Sequence, residues 1–149
     1  MKKIGIVVKA DTEAIKKADE LESWLRSKNI DTFRRENLPP KRRIPDRDKS
    51  FAPADLCCVF VLGGDGTFLS AVRWIGDQKI PILGVKFGEV GFLAEIAEDS
   101  LFSVAEAVLN NEFSTEPRMR LLVQVIREEE ELVCETVLND IVINKGALA

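Results

Sequence analysis

The chain is 149 residues long, 46% hydrophobic and 31% charged, with a formal net charge of −4. That is about one soluble globular domain, large enough to bury a core without metals or disulfides, and its charge gives no global pull toward nucleic acid or an anionic membrane. Histidine and tyrosine are absent, which excludes Ser-His-Asp and Cys-His catalysis and histidine-ligated metal sites within this chain.

The opening MKKIGIVVKA starts with lysines, but its apolar stretch is too short for a signal peptide. Residues 3–10 read as a buried, β-branched first strand. Thr12 is placed to cap the helix that follows, in which Ala14, Ile15, Ala18, Leu21, Trp24 and Leu25 recur at helical spacing through residue 27. Asp31 to Arg35 is a second strand. Residues 36–54 hold four prolines and read as a long loop, a feature that is functional or disordered in most compact domains. The basic cluster Arg34, Arg35, Lys41, Arg42, Arg43, Arg47 and Lys49 could attract a polyanion, although a solvated loop is the preferred reading.

DLCCVFVLG (55–63), apolar and bounded by Pro53 and Gly63, reads as the central strand. Cys57 and Cys58 lie inside it, and Cys134 is the third cysteine. Adjacent cysteines pair with difficulty and an odd count is no disulfide framework, so Cys57 and Cys58 are expected to be buried reduced thiols in a cytosolic compartment. No apolar run approaches the ~20 residues of a membrane span. A helix is expected from about Thr67, with Phe68, Leu69, Val72 and Ile75 on its buried side. IPILGVKF (80–87) is the next strand, followed by a second glycine loop, GEVGFL (88–93). Ser100 to Asn110 reads as a helix with Leu101, Val104, Ala105, Val108 and Leu109 inward. RLLVQVI (120–126), an acidic turn (128–131) and LVCETVL (132–138) make a hairpin, and DIVIN (140–144) continues extended.

Alternating strands and helices up to about residue 115 predict an α/β fold: a doubly wound, mainly parallel Rossmann-like sheet with helices on both faces. Residues 1–117 read as an α/β nucleotide-binding domain carrying the GGDG loop. Residues 118–149 read as a hairpin and strand leading toward a second, β-rich domain. The sequence stops just after a strand, at NKGALA (144–149), which reads as a chain cut before that domain.

VLGGDGTFL (61–69) falls where the central strand passes into a helix, the end of an open parallel sheet at which ligands bind. Glycines let a ligand approach the backbone, and amides at the helix start face an anion. Spacing excludes two common phosphate loops. A P-loop needs a lysine before Thr67, where Gly66 stands; a dinucleotide fingerprint starting at Gly64 meets Leu69 in place of its third glycine. Asp65 is the distinctive member, because a carboxylate repels phosphate. It fits a proton acceptor for an attacking hydroxyl, or a group helping to hold a divalent ion. A helix or turn cap is the competing reading.

GGDGT (63–67) resembles the signature shared by NAD kinases, diacylglycerol and sphingosine lipid kinases, and phosphofructokinases. Phe68, Leu69, Ala71 and Arg73 after it resemble the NAD kinase version. GVKFGEVGFL (84–93) resembles a second NAD kinase motif, an asparagine-containing loop ending in Gly-Phe-Leu, with Lys86 standing where the family has asparagine. LNDIVINKG (138–146) resembles a third, an Asn-Glu or Asn-Asp pair opening an apolar strand.

The resemblance implies an NAD kinase: the 2′-hydroxyl of the adenosine ribose of NAD attacks the γ-phosphate of ATP, giving NADP, with a divalent metal, Mg²⁺, assisting. Polyphosphate is the alternative donor. By position, Asp65 would accept the proton, Gly66 would contact the dinucleotide through its backbone, and Gly63 and Gly64 would lie beside the phosphates. Phe92 would lie against the adenine end, Asn139 and Asp140 would bond adenine and ribose hydroxyls, and Ser70 would also reach the dinucleotide. Plain competitors are a core position for Phe92 and turn formation by Asn139 and Asp140. No metal ligand is assigned, and the role of Lys86 is open. The resemblance further implies NAD and ATP as small-molecule partners, a homo-oligomeric full-length protein, and an active site completed by the second domain, so that this portion alone would be nearly inactive; charge and the short apolar runs argue for neither nucleic acid nor membrane, and the cysteines for a cytoplasmic location. The alternatives are a lipid or sugar-phosphate kinase of the GGDGT group and a non-catalytic nucleotide-binding domain.

Overall fold

The computed structural model describes residues 2–37, 51–87 and 91–143. Aliphatic and β-branched residues dominate the first strand, β1 (Lys3–Lys9), and Ile4, Ile6, Val7 and Val8 are all fully buried. Burial of consecutive side chains means that both faces of the strand are covered. After β1 come α1 (Thr12–Ser27), β2 (Asp31–Asn37), β3 (Cys58–Leu62), α2 (Asp65–Ile75), β4 (Ile82–Lys86), β5 (Ile96–Ala97), one 3₁₀ turn (Glu98–Ser100) and α3 (Leu101–Leu109). The five strands are parallel, in the order β2-β1-β3-β4-β5. The chain winds outward from β1 to β2, then reverses through β3, β4 and β5. This is the doubly wound, parallel α/β sheet that the alternation of elements predicts, and its switch point lies between β1 and β3.

Strand alternation sends side chains to two apolar layers. Ile4, Ile6, Val8, Phe60 and Leu62 pack with Ala14, Ala18, Leu21 and Leu25 of α1 and Leu101, Ala105 and Val108 of α3. Val7, Val59 and Val61 face the other way, against Ala71, Trp74 and Ile75 of α2. Each buried Val, Leu or Ile contributes roughly 1.5–3 kcal/mol by leaving water.

Several local expectations are corrected. The cap of α1 is Asp11, not Thr12: its Oδ1 accepts the Ala14 N–H at 2.9 Å, leaving Thr12 as the first helical residue. Helix α2 begins at Asp65, two residues before Thr67, with Gly64 as its N-cap. Its buried residues are Thr67, Ala71, Trp74 and Ile75; Phe68, Leu69 and Val72 are half-buried. Trp74 packs over Gly5 on β1, where a β-carbon would touch its ring at an ordinary 3.4 Å but would come within 2.8 Å of Val59 Cγ2 and 2.9 Å of Leu56 Cδ1. In α3, Val104 and Leu109 are half-buried at the edge of the inward face. Cys57 is exposed, and only Cys58 is buried, because β3 begins at Cys58 and not at Asp55. β2 runs on to Asn37, since it pairs with β1 along its whole length, Lys3 with Asp31 through Lys9 with Asn37. On β2, Arg34 pairs with Asp19 and Glu22 of α1, and the Arg35 guanidinium lies 5.9 Å from the Trp74 ring. These two members of the basic cluster have partners within the fold; Lys41, Arg42, Arg43, Arg47 and Lys49 lie outside the described residues.

The chain divides into two compact units, Met1–Ser114 and Thr115–Ala149. The second contains an antiparallel pair, β6 (Arg120–Arg127) and β7 (Glu130–Leu138). Its turn is two residues, Glu128 and Glu129, at φ 51° and 66°, the left-handed geometry that matches the twist of a tight hairpin. Glu130 and Glu131 belong to β7, so the turn is shorter than the acidic run. Asn139, at φ 77°, ends the extended path, and residues 140–143 form no strand, contrary to the expected continuation. Among the described residues no helix is long and apolar enough to cross a membrane.

Candidate functional site

Val8, Leu62 and Val85 are aligned across β1, β3 and β4. One position further on stand Lys9, Gly63 and Lys86, at the carboxyl edge of the sheet and beside its switch point. The Gly63 N–H donates to the Val85 carbonyl at 3.0 Å, so the loop leaves β3 in register. A β-carbon on Gly63 would come within 2.6 Å of Thr67 Oγ1 and 3.1 Å of Lys9 Cβ. Glycine is therefore needed for the chain to fold back this closely onto α2. Thr67 is a buried polar residue that the sequence reading did not single out. A β-carbon on Gly64 or Gly66 would meet nothing within 4 Å.

Asp65 is the first residue of α2, and its side chain does not cap the helix. Its Oδ2 accepts the backbone N–H of Phe92 at 2.9 Å, and its Oδ1 that of Leu93 at 3.0 Å. The Phe92 amide is the main reason that the Asp65 carboxyl is held below the usual carboxylate range; burial works in the opposite direction, and the Leu93 and Ala94 amides reinforce the lowering. The positive end of α2 favours the same ionised form. Asp65 is thus a carboxylate at neutral pH. Its two oxygens offer about four acceptor positions, and the two amides leave some of them available to a ligand hydroxyl.

The Gly-Phe-Leu segment reaches Asp65 by crossing β4 closely. A β-carbon on Gly84 would lie 2.8 Å from Ala94 Cα, and one on Gly91 would lie 2.8 Å from Asp65 Cγ. Phe92 is 92% exposed, which removes the reading that it is core. An aromatic ring standing in water beside an ionised carboxylate is a surface shaped for a flat, polar partner. Ser70 is half-buried on α2 and, four residues after Gly66, shares its helix face. Lys86 ends β4, where it is aligned with Ala97 of β5.

The sequence-predicted residues therefore fall into two groups. Gly63, Gly64, Asp65, Gly66, Ser70 and Phe92 belong to the first unit. Asn139 and Asp140 follow β7 in the second, and both are exposed. The left-handed φ of Asn139 fits its reading as a turn former, since asparagine tolerates that conformation.

Among the described residues, no group of three or more His, Cys, Asp or Glu side chains gathers so as to hold a metal ion. The neighbours of the Asp65 carboxylate are N–H donors, which suit an anion and do not fit a protein-built cation site. Sequence reasoning identified Asp65 and Phe92 but missed the contact between them, and missed Gly91, Leu93 and Thr67. The glycine of the Gly-Phe-Leu run was the available signal.

Residues 4–113 match the family model described as the ATP-NAD kinase N-terminal domain. The chain belongs to the NAD kinase family. It is similar to an NAD kinase of Desulfatibacillum aliphaticivorans, with 54% identity over 149 residues covering 100% of this chain and 52% of that protein. It is also similar to an NAD kinase of Syntrophobacter fumaroxidans, with 42% identity over 150 residues covering 100% of this chain and 53% of that one. The chain spans about half the length of the curated relatives it matches. Among solved structures, yeast NADH kinase complexed with NADH superposes with a TM-score of 0.66 at 18% identity, covering 91% of this chain and 46% of that one. At that identity the likeness supports the fold. The family is the one that GGDGT, GVKFGEVGFL and LNDIVINKG resemble.

Proposed function

We propose that the protein to which this chain belongs is an NAD kinase that transfers the γ-phosphate of ATP to the 2′-hydroxyl of the adenosine ribose of NAD. One observation carries the reading: Asp65 is an ionised carboxylate, fixed by two amides at the carboxyl edge of the sheet and adjoining an exposed aromatic ring. As the ribose oxygen attacks the γ-phosphorus, its proton passes to Asp65. The bond from that phosphorus to the β,γ-bridging oxygen breaks, ADP leaves with the electron pair, and Asp65 returns the proton to solvent. Phosphoryl transfer asks the protein mainly for positioning and electrostatics, so one well-placed base suffices.

In this reading the Gly63 and Gly64 backbone lies beside the phosphates, Gly66 and Ser70 face the dinucleotide, and Phe92 stacks on adenine. Asn139 and Asp140 bond adenine and ribose hydroxyls. The divalent metal, Mg²⁺, is carried on the donor's phosphates and water, as is usual for this ion. Residues 1–117 form the nucleotide-binding domain and 118–149 begin a β-rich one. The exposed apolar side chains of Leu122, Ile126 and Leu132 on the hairpin support that second assignment. A homo-oligomer and a cytoplasmic location belong to the same reading; the three unpaired cysteines suit a reducing compartment.

The test is an acceptor and donor panel with the full-length protein: NAD, NADH, a diacylglycerol and a sugar phosphate, each with ATP or polyphosphate. NADP formation from NAD should dominate. Phosphorylation of the lipid or sugar without NADP would overturn the reading, as would ligand binding with no transfer at all.

A further inference from the structure

We propose that Gly91 is a positioning residue for Asp65: the missing side chain lets the Phe92 and Leu93 amides close on both carboxylate oxygens and fix the base in place. The proposal rests on the phosphoryl-transfer reading of Asp65. A β-carbon at position 91 would stand 2.8 Å from Asp65 Cγ, a separation that a real β-carbon almost never shows, and a tight 3.1 Å from Oδ2. Either the carboxylate or the segment must then move. Consecutive N–H groups turned to one side form a small anion-binding concavity, and here the anion is a side chain of the protein itself. Two bonds, one to each oxygen, remove the rotation that a lone aspartate would keep.

The arrangement has a second effect. Phe92 grips Asp65 with its amide while its ring stands in solvent. The surface offered to the acceptor's flat end and the group that takes the acceptor's proton are therefore joined through one residue, and Gly91 permits that junction. A displacement of about 1 Å in a reacting group can cost on the order of 100-fold in rate, so the glycine acts on turnover.

The experiment uses the full-length protein and four forms: wild type, Gly91→Ala, Asp65→Asn and the double variant. NADP formation is followed from about pH 4 to 9, and far-UV circular dichroism checks the fold. Gly91→Ala is expected to lower kcat by at least about tenfold, to leave KM for NAD within about threefold, and to move the acid limb of kcat upward, because fewer donors hold the carboxylate ionised. In the Asp65→Asn background, Gly91→Ala is expected to cost nothing further. Equal losses in both backgrounds, an unmoved acid limb, or loss of the fold in Gly91→Ala would overturn the positioning role. Near-normal turnover by Asp65→Asn would instead remove the base assignment itself, a result distinct from an inactive Asp65→Asn beside a normal Gly91→Ala.

Discussion

Lys9 and Lys86 flank Gly63, each one residue beyond the aligned row Val8, Leu62 and Val85 at the carboxyl edge of the sheet. Strand alternation turns both toward the α2 side: the missing side chain of Gly63 would meet Thr67 and Lys9, and that of Gly84, two residues before Lys86, would meet Phe68. The Lys9 ammonium is paired with Asp11 at 2.9 Å, and Lys86 holds the matching strand position beside the glycine loop and the α2 N-terminus, a setting suited to phosphate.

Lys86 should therefore act on the donor. Lys86→Ala is expected to raise KM for ATP by about tenfold, the equivalent of one charge-assisted hydrogen bond, with KM for NAD little changed. Initial-rate kinetics on the full-length protein, repeated at high salt, check this. An unchanged KM for ATP would place Lys86 in solvent.

Asp11 should be worth more to the fold than its neighbour. Its cap on Ala14 and its ion pair with Lys9 at 2.9 Å tie the start of α1 to the end of β1. Asp11→Ala is expected to destabilise by about 0.5–2 kcal/mol. Thr12→Ala should stay within about 0.5 kcal/mol. Urea unfolding of the two variants gives the comparison.

Acid should loosen the same region. The Ala14 amide is the main cause that lowers the Asp11 carboxyl, with Lys9 adding to it, and the Phe92 amide does the same for Asp65. A carboxyl depressed in the folded state adds stability that is present above its unfolded value, near pH 4, and is lost as pH falls through the folded value. Unfolding midpoints measured from about pH 5 down to pH 2 should fall less steeply for Asp11→Asn and Asp65→Asn than for the wild type. Parallel curves would show that neither carboxylate carries the acid sensitivity.

The adjacent thiols should differ sharply in reactivity. Burial, with the neighbouring Cys57 adding to it, pushes Cys58 up to about 12, whereas Cys57 is exposed with its Sγ 3.2 Å from the Lys3 carbonyl. A thiol-alkylating reagent at neutral pH should label Cys57 and spare Cys58 until denaturant is added. Mass spectrometry of the peptide holding both resolves the order, and simultaneous labelling would contradict the burial of Cys58.

Much of this was legible in the sequence because burial leaves a period. The two-sided apolar runs of β1 and β3 and the spacing in α1 follow directly from which faces are covered. The phase of α2 was not legible, since it depends on Ala71, Trp74 and Ile75 packing against Val7, Val59 and Val61, contacts between distant segments. Asp11 and Thr12 are both capable caps, and only the path of the chain chooses between them. β5, of two residues, is too short to carry a period. In the site, Asp65 stood out by its charge among glycines, and Phe92 by its motif. Their hydrogen bond spans 27 residues, a relation that no local pattern encodes.

The glycines of the loop do not all answer to the same demand. Gly63 is required by the protein's own atoms, but Gly64 and Gly66 have nothing within 4 Å of the place a β-carbon would take. Gly66 is the second residue of α2, where glycine gives up more conformational freedom on folding than alanine would. Selected for stability alone, that position would drift away from glycine. In the proposed reading Gly66 faces the dinucleotide, so a screen for thermal tolerance and a screen for turnover would pull this one position in opposite directions.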